Sequence, residues 1–327
     1  MSQTPTHAAA GSSPPEVSVV ICAYAQERWD DLSRAVSSLL AQSVQPREIV
    51  VAVDHNPALL ERAAAHFQPP VTVLANAQRP GLAGARNSGT EATSAPIVAF
   101  LDDDARAAPD WIEQLAQPFA DPAVLGVGGR IDPDWQAPRP RWFPQEFNWA
   151  IGCSYRGLPT TTAPVRNMIG ANMSVRRDVF DVLGGFSENL GRLEETDFCI
   201  RGSLRFPAGR WLYLPAAIVS HSVTPQRSTW SYFRKRCFNE GLAKASMVAG
   251  TGFRAGLESE RRYVRWVLPS GVARECLRGL RGDPGGPARA AAIVAGLSYT
   301  AAGFAKGRLR RILTRVPHGI PRRGDTP

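Results

Sequence analysis

Four short apolar runs, separated by stretches of helical spacing, constrain this chain more than anything else in it. Val17–Cys22 (VSVVIC), Glu48–Val53 (EIVVAV), Val71–Ala75 (VTVLA) and Ile97–Leu101 (IVAFL) read as strands, each apolar and compact enough for burial. Between them, Asp31–Gln42 sets Leu32, Ala35, Val36, Leu39 and Leu40 at helical spacing, and Leu59–His66 and Ala83–Thr93 follow suit. Strands alternating with helices over short connections predict an α/β fold, with a mostly parallel central sheet and helices on both faces. Such sheets bind ligands beyond the carboxyl ends of their strands. Here those ends carry Tyr24, Asp54, Asn76 with Arg79, and Asp102-Asp103-Asp104, so polar groups from four strands are aimed at one cleft.

Downstream the pattern changes. Asp110–Leu125 reads as a helix, a turn and a strand, and Arg177–Leu183 as a helix. Trp211–Leu214 and Ala217–Val219 read as short strands. Residues 132–170 are rich in Pro, Trp and Arg without a period, the signature of a long functional excursion. Tyr232–Ala249 and Arg261–Leu280 are basic helices, the second interrupted by Pro269.

Charge is divided along the chain. Net charge is +9, but residues 1–226 sum to −5 and residues 227–327 to +14. This predicts an acidic body and a basic appendage facing an anionic surface. Ala290–Ala305 is free of charge and 16 residues long, short of the ~20 needed to span a bilayer. Flanked by Arg289, Lys306, Arg308, Arg310 and Arg311, it suits an interfacial helix on anionic lipid, with docking against the protein's own body as the alternative. The layout expected is a disordered leader over 1–16, a catalytic domain over 17–250 and a basic, membrane-associated helical tail over 251–327. The leader lacks the basic and apolar regions of a signal peptide. Five scattered cysteines without a C-x-x-C pair argue against a disulfide framework or structural zinc, and for a reducing compartment.

The chemistry concentrates in two acidic clusters. Three adjacent carboxylates, Asp102-Asp103-Asp104, repel one another unless solvated or joined by a cation. Alternate residues of an extended segment point the same way, so Asp102 and Asp104 share a face. Such oxygen ligands suit Mg²⁺ or Mn²⁺ bridging to phosphate, the bland alternative being an acidic turn that caps the next helix. Beside them, Arg79-Pro-Gly-Leu-Ala-Gly-Ala-Arg86-Asn87-Ser-Gly89 brings two guanidinium groups to a helix start, which favours phosphate. Its spacing is neither the dinucleotide pattern nor the P-loop. The second cluster, Glu194-Glu195-Thr196-Asp197, offers a carboxylate base or else a solvated helix start. His221 closes a strand-like run, and Asp132–Gly157 mixes aromatic rings with Arg139, Arg141 and Arg156, suited to sugars, lipid phosphate or plain core packing.

Taken together, VSVVICAY, the strand ending at Asp54, RPGLAGARNSG, FLDDDA and the later acidic cluster followed by His221 resemble the family 2 inverting glycosyltransferases of GT-A fold, from about Val17 to Gly241. VGGRIDPDW, PQEFNWAIG, YRG, VRNMIGANMSVRRDVFDVLGGF and ETDFC narrow the resemblance to glucosyl-dolichyl-phosphate glucuronosyltransferases and their bacterial relatives. The resemblance implies a UDP-type nucleotide-sugar donor of a hexuronic acid or hexose, a lipid-linked or glycan acceptor, and a divalent cation, Mn²⁺ or Mg²⁺. It places Tyr24, Asp54, Arg79, Arg86, Asp102 and Asp103 on the nucleotide sugar, and Asp102, Asp104 and His221 on the metal. Glu195 becomes the base, with Asp197 and Glu194 as rivals, and Trp135, Arg166, Asn167 and Asn172 contact the acceptor. It implies a cytoplasmic enzyme held peripherally at the inner face of the membrane, with no nucleic acid partner. The family commonly pairs two Asp where this chain has Asp54-His55, which leaves the nucleotide open, and rhamnosyl-, mannosyl- or galactosyltransferases remain alternatives. A sugar nucleotidyltransferase would carry a Gly-rich loop after the first strand, where Cys22-Ala23-Tyr24-Ala25-Gln26 has none. A nucleic-acid-binding module would meet an acidic cleft of the wrong sign.

Overall fold

The computed structural model describes residues 15–189, 193–251 and 258–314. The expected leader therefore lies outside the described residues, apart from Pro15 and Glu16. The chain forms two compact units, the first from residues up to Asp134 and Pro159–Ser222, the second from Trp135–Leu158 and Val223 onward.

In the first unit the four expected strands form as β1 (Val17–Ala23), β2 (Glu48–Val53), β3 (Val71–Ala75) and β4 (Ile97–Asp102). They are connected by α1 (Trp29–Leu40), α2 (Pro57–His66) and α3 (Leu82–Glu91). A 3-10 turn, Gln26–Arg28, precedes α1 and moves its start ahead of the expected Asp31. Asn56 caps α2 by accepting from Leu59 N at 3.1 Å, and Pro57 sits in the first turn, where its missing N–H costs nothing.

The remaining elements are β5 (Ala105–Ala107), α4 (Trp111–Ala116), β6 (Val124–Trp135), β7 (Ala163–Val165), β8 (Asn172–Arg176), α5 (Arg177–Leu183), α6 (Glu194–Arg205) and β9 (Arg210–Val223). All nine strands join one sheet in the order β3-β2-β1-β4-β8-β6-β9-β5, with β7 on β9. β3, β2, β1 and β4 are parallel, as the alternation requires. β8 runs antiparallel to β4 and β6, and β9 antiparallel to β5 and β7, so the sheet is mixed. The two short strands expected around Pro215 are one long strand, β9. Its pairing with β5 sets Ala105 opposite His221 and so delivers the imidazole to the end of the acidic run.

Aromatic side chains pack inside this unit beside Arg86, whose guanidinium lies 5.5 Å over the Phe186 ring. Phe100, Phe180, Phe186, Phe198 and Trp211 are all buried, and Phe186 and Phe198 lie 4.8 Å apart between ring centres. Phe198 belongs to α6, so this packing fixes the helix whose first turn carries the second acidic cluster.

The second unit contains a 3-10 segment (Gln145–Ile151), α7 (Trp230–Thr251), Glu258–Arg262, a π-helical turn (Tyr263–Val267), Leu268–Leu280 and Gly286–Thr314. Phe143, Phe147 and Phe233 form its fully buried aromatic core, with Phe143 and Phe233 at 5.6 Å. Pro269 does not interrupt the second basic helix. It falls at the start of Leu268–Leu280, and the π-helical turn before it carries the chain into that helix without a break.

The uncharged run lies within Gly286–Thr314 and packs on α7. Backbones touch there: a β-carbon on Gly303 would run into the Phe238 carbonyl, and one on Gly241 into the Thr300 carbonyl. Ala292 and Ile293 are buried. Gly286–Arg311 is also long and apolar enough, by length and composition alone, to cross a membrane.

Candidate active site

The site lies in the first unit, at the carboxyl end of β4. Asp102, Asp104 and His221 place one ligand atom each within 4.8 Å of one another. His221 Nε2 is 3.1 Å from Asp104 Oδ1. Asp103, in the turn that joins β4 to β5, is not among these ligand atoms and accepts from Arg28 Nη1 at 2.7 Å. The same guanidinium nitrogen stands 3.3 Å from Asp104. Asp103 and Asp104 are buried, whereas the Asp102 side chain keeps 29 % of its surface exposed and forms the open edge.

Burial pushes the Asp102 carboxyl above its usual range, Arg86 resists, and the charge on Asp104 adds to the rise. Burial likewise raises Asp103 to about 7 despite Arg28. Two hard carboxylates and an imidazole, gathered within 4.8 Å with Asp102 at an open edge, are a donor set that fits a divalent cation such as Mn²⁺ or Mg²⁺.

Arg86 joins the two acidic clusters. Its side chain is 2 % exposed in α3, and its terminal nitrogens lie 3.2 Å from Glu195, 3.5 Å from Asp102 and 3.7 Å from Glu194. Burial alone would lower the pKa of this guanidinium, but Glu195, Asp102 and Glu194 more than reverse that and hold it charged. Glu194 is buried too, and burial, helped by the charge on Glu195 and opposed by Arg86, lifts it to about 7. The pairing needs Gly170, because a β-carbon there would collide with Glu195 Oε1 and Arg86 Nη2. The first turn of α6 suits these acids, since the helix dipole is positive at that end.

At the ends of β2 and β3, Asp54 accepts from Asn76 Nδ2 at 2.8 Å and from Gly81 N at 2.9 Å. Burial acts to raise its carboxyl, yet the hydrogen bonds from Asn76, His55 and Gly81 prevail and hold it low. His55 adopts a left-handed φ of 47° and approaches Asp54 at 3.0 Å. Tyr24 is exposed, with Arg28 5.2 Å above its ring, and Arg79 is exposed and donates to Asn189. Of the two arginines expected at phosphate, only Arg79 reaches the surface, because Arg86 is spent on three carboxylates.

Asp197 is held by Arg201 at 2.7 Å, and Arg201 also donates to Leu183 O and Gly185 O, so that carboxylate anchors a helix to a loop. Asn172, expected against the acceptor, is instead fully buried. Its amide donates to Arg130 O and Ala217 O at 3.0 Å and accepts from Trp111 Nε1 at 2.8 Å, which uses its capacity inside the sheet. Arg166 donates to Asn167 Oδ1 at 3.0 Å, and both are partly exposed. Trp135 belongs to the second unit, edge-on to Phe143 at 5.5 Å. Sequence reading passed over Arg28 and the structural use of Gly170. The first had no signal beyond its place after β1, and the second none beyond its asparagine neighbours.

The glycosyl transferase family 2 profile matches residues 18–184, about half of the chain. The chain belongs to glycosyltransferase family 2. This glycosyltransferase is 37 % identical over 242 residues to the glucosyl-dolichyl phosphate glucuronosyltransferase of Haloferax volcanii, a match covering 71 % of this chain and 77 % of that one. It is 29 % identical over 202 residues to the pre-mycofactocin glycosyltransferase of Mycobacterium tuberculosis, covering 61 % of this chain and 42 % of that protein. A mannosyltransferase structure from Pyrobaculum calidifontis, in complex with GDP-Man and Mn²⁺, shares 88 % of both chains with TM-score 0.57 at 18 % identity. At that identity the likeness speaks for the fold, and the fold of this glycosyltransferase is GT-A.

Proposed function

We propose that this glycosyltransferase moves a hexuronic acid or hexose, with inversion, from a UDP-type nucleotide sugar to a lipid-linked or glycan acceptor at the cytoplasmic face of the membrane. One observation carries the reading: Arg86 ties Asp102, at the metal-binding edge, to Glu195 across a single buried guanidinium. Inverting transfer needs a base on one side of the anomeric carbon and charge compensation for the leaving diphosphate on the other. The chain supplies both within reach of one side chain.

In this reading the acceptor hydroxyl oxygen attacks the anomeric carbon, its proton passes to Glu195, and the bond from that carbon to the diphosphate oxygen breaks. Asp197 is less suited to the task, because its partner Arg201 answers it and two backbone carbonyls and does not reach Asp102, whereas Arg86 joins Glu195 to Asp102. Asp102, Asp104 and His221 would hold the divalent cation, which when bound offsets charge on the diphosphate oxygens. Arg79 and Tyr24, both exposed, remain for the nucleotide, with Asp54 fixing the loop that carries Gly81. The likeness to a glucuronosyltransferase supports a glucuronate donor and a polyprenyl-phosphate-linked acceptor. The second unit sums to +16 by sequence, against −7 for the first, which supports contact with an anionic membrane surface.

The test is donor hydrolysis and thermal shift with UDP-glucuronate, UDP-glucose, UDP-galactose, GDP-mannose and dTDP-rhamnose, with and without Mn²⁺. A metal-dependent response to UDP-glucuronate alone is expected, and a response to another donor alone overturns the sugar assignment. Asp104→Asn and Glu195→Gln are each expected to slow transfer by about 10²-fold or more. Only the first should weaken metal-dependent nucleotide binding, and equal weakening in both would reject the division of roles.

A further inference from the structure

We infer that the helical face from Trp266 to Leu280 in the second unit is the surface by which this enzyme lies on an anionic phospholipid bilayer. The inference deepens the membrane-surface reading above and rests on it.

Leu268–Leu280 buries one stripe, Leu268, Gly271 and Glu275, against its own unit. The opposite stripe is apolar and open to solvent. Trp266 is 65 % exposed, Leu277 51 % and Leu280 85 %, and Pro269 and Ala273, exposed as well, fill the helical spacing between them. Bulky apolar side chains in a row on one face of a helix mark an interaction surface, unlike single exposed leucines.

Its rim is basic. Arg262, Arg265 and Arg281 are exposed, and Arg265 lies 5.7 Å over the Trp266 ring. The one carboxylate within Leu268–Leu280 is Glu275, which is buried and held by Arg289 at 2.6 Å and Arg278 at 3.0 Å. No acid therefore stands on the exposed face of this helix. An apolar stripe edged with arginine is the composition of a helix lying in the headgroup region, with its apolar side down.

Charge selects the occupant. A second copy would bring a unit of +16 against another of +16, whereas an anionic bilayer offers complementary charge and an apolar layer together. Nucleic acid would match the arginines but gain nothing from Leu277 and Leu280. The last helix is the weaker candidate. Its described outer positions include Ala291, Ser298, Ala301 and Ala302, with Val294 and Leu309 the large apolar ones, and its inner face is occupied by α7.

The experiment uses the full chain with vesicles of phosphatidylcholine alone or mixed with phosphatidylglycerol, at low and high salt. Wild type is expected to sediment with the mixed vesicles and to be released by salt. A polarity-sensitive dye on Cys276, which is exposed beside Leu277, should shift to the blue on binding. Leu277→Glu with Leu280→Glu should weaken partition by at least about tenfold, and Val294→Glu on the last helix should not. An unchanged melting temperature shows that the doubly substituted chain is folded. If wild type binds mixed vesicles and the double variant binds as well, this face is wrong while the membrane reading stands. If wild type binds neither vesicle, both fail. Self-association in solution that the double variant abolishes would assign the face to a second copy and overturn the inference.

Discussion

Arg86 is the one side chain whose loss touches both acidic clusters. Its guanidinium is buried and answers Asp102, Glu194 and Glu195, so Arg86→Ala strands a buried carboxylate as well as removing a cation. Removing one partner of a buried pair costs about 3–5 kcal/mol, and urea denaturation should show a loss of that order. Arg86→Lys should recover only part of it, because a point charge cannot address three carboxylates in different directions. Glu194 adds a pH signature. Its folded-state pKa is raised from 4.5 to about 7 by burial and by Glu195, against Arg86, so in that window the folded chain holds the proton that the unfolded chain has released. Stability conferred by this proton is complete below the lower value and is lost as pH rises through the upper one. Glu194→Gln carries no such proton, so its melting temperature should fall less than that of wild type between about pH 5 and about pH 8. Parallel falls would show that Glu194 does not titrate there. At this scale the acidic run after an apolar strand marks Asp102 and Asp104, whereas His221 enters through the family resemblance, since a single histidine at a strand end has no pattern of its own. The sequence did not show that Arg86 turns inward or that Asn172 is enclosed, since a polar letter beside glycines reads alike whether it faces ligand or backbone.

Elements were legible where their period was local. β1 to β4 and the helices between them follow from alternation alone, because each strand pairs with neighbours that the same alternation supplies. β5 and β9 meet across more than a hundred residues, and no local pattern contains that pairing. The uncharged run beyond Arg289 illustrates a different ambiguity. Apolar residues at helical spacing serve a bilayer or a neighbouring helix equally well, and only the close approach of Gly303 to Phe238 and of Gly241 to Thr300 shows that α7 is the neighbour. Gly303→Ala should therefore destabilise the protein by about 1–3 kcal/mol through overpacking, read as a lower urea midpoint. Ala301→Ser, two residues away and exposed, should stay within about 0.5 kcal/mol of wild type. Equal midpoints for both variants would mean that the two helices are not in backbone contact.

At the scale of the whole molecule, charge and chain order divide the protein in different places. Composition changes sign near residue 227, yet the second compact unit also takes in Trp135–Leu158, which belongs by sequence to the acidic half. The aromatic excursion explains why. Phe143 and Phe147 are fully buried against Phe233 of α7, so those rings build a core and not a solvent-facing grip. Gly296 of the last helix then lies against the rings of Phe147 and Phe233, and the core is closed only when that helix is present. A chain ending at residue 250 would keep α7 and the excursion but uncover these rings. Each phenylalanine brought out of burial forfeits about 1.5–3 kcal/mol, and two in one small core are a large part of what such a unit can hold in reserve. The shortened chain is expected to aggregate, or to bind a hydrophobic dye and melt without a cooperative transition in this unit. A soluble, monomeric chain of residues 15–250 that melts as cooperatively as the full protein would show instead that the C-terminal helices are an appendage, and that the break in composition near residue 227 approximates a true boundary of folding.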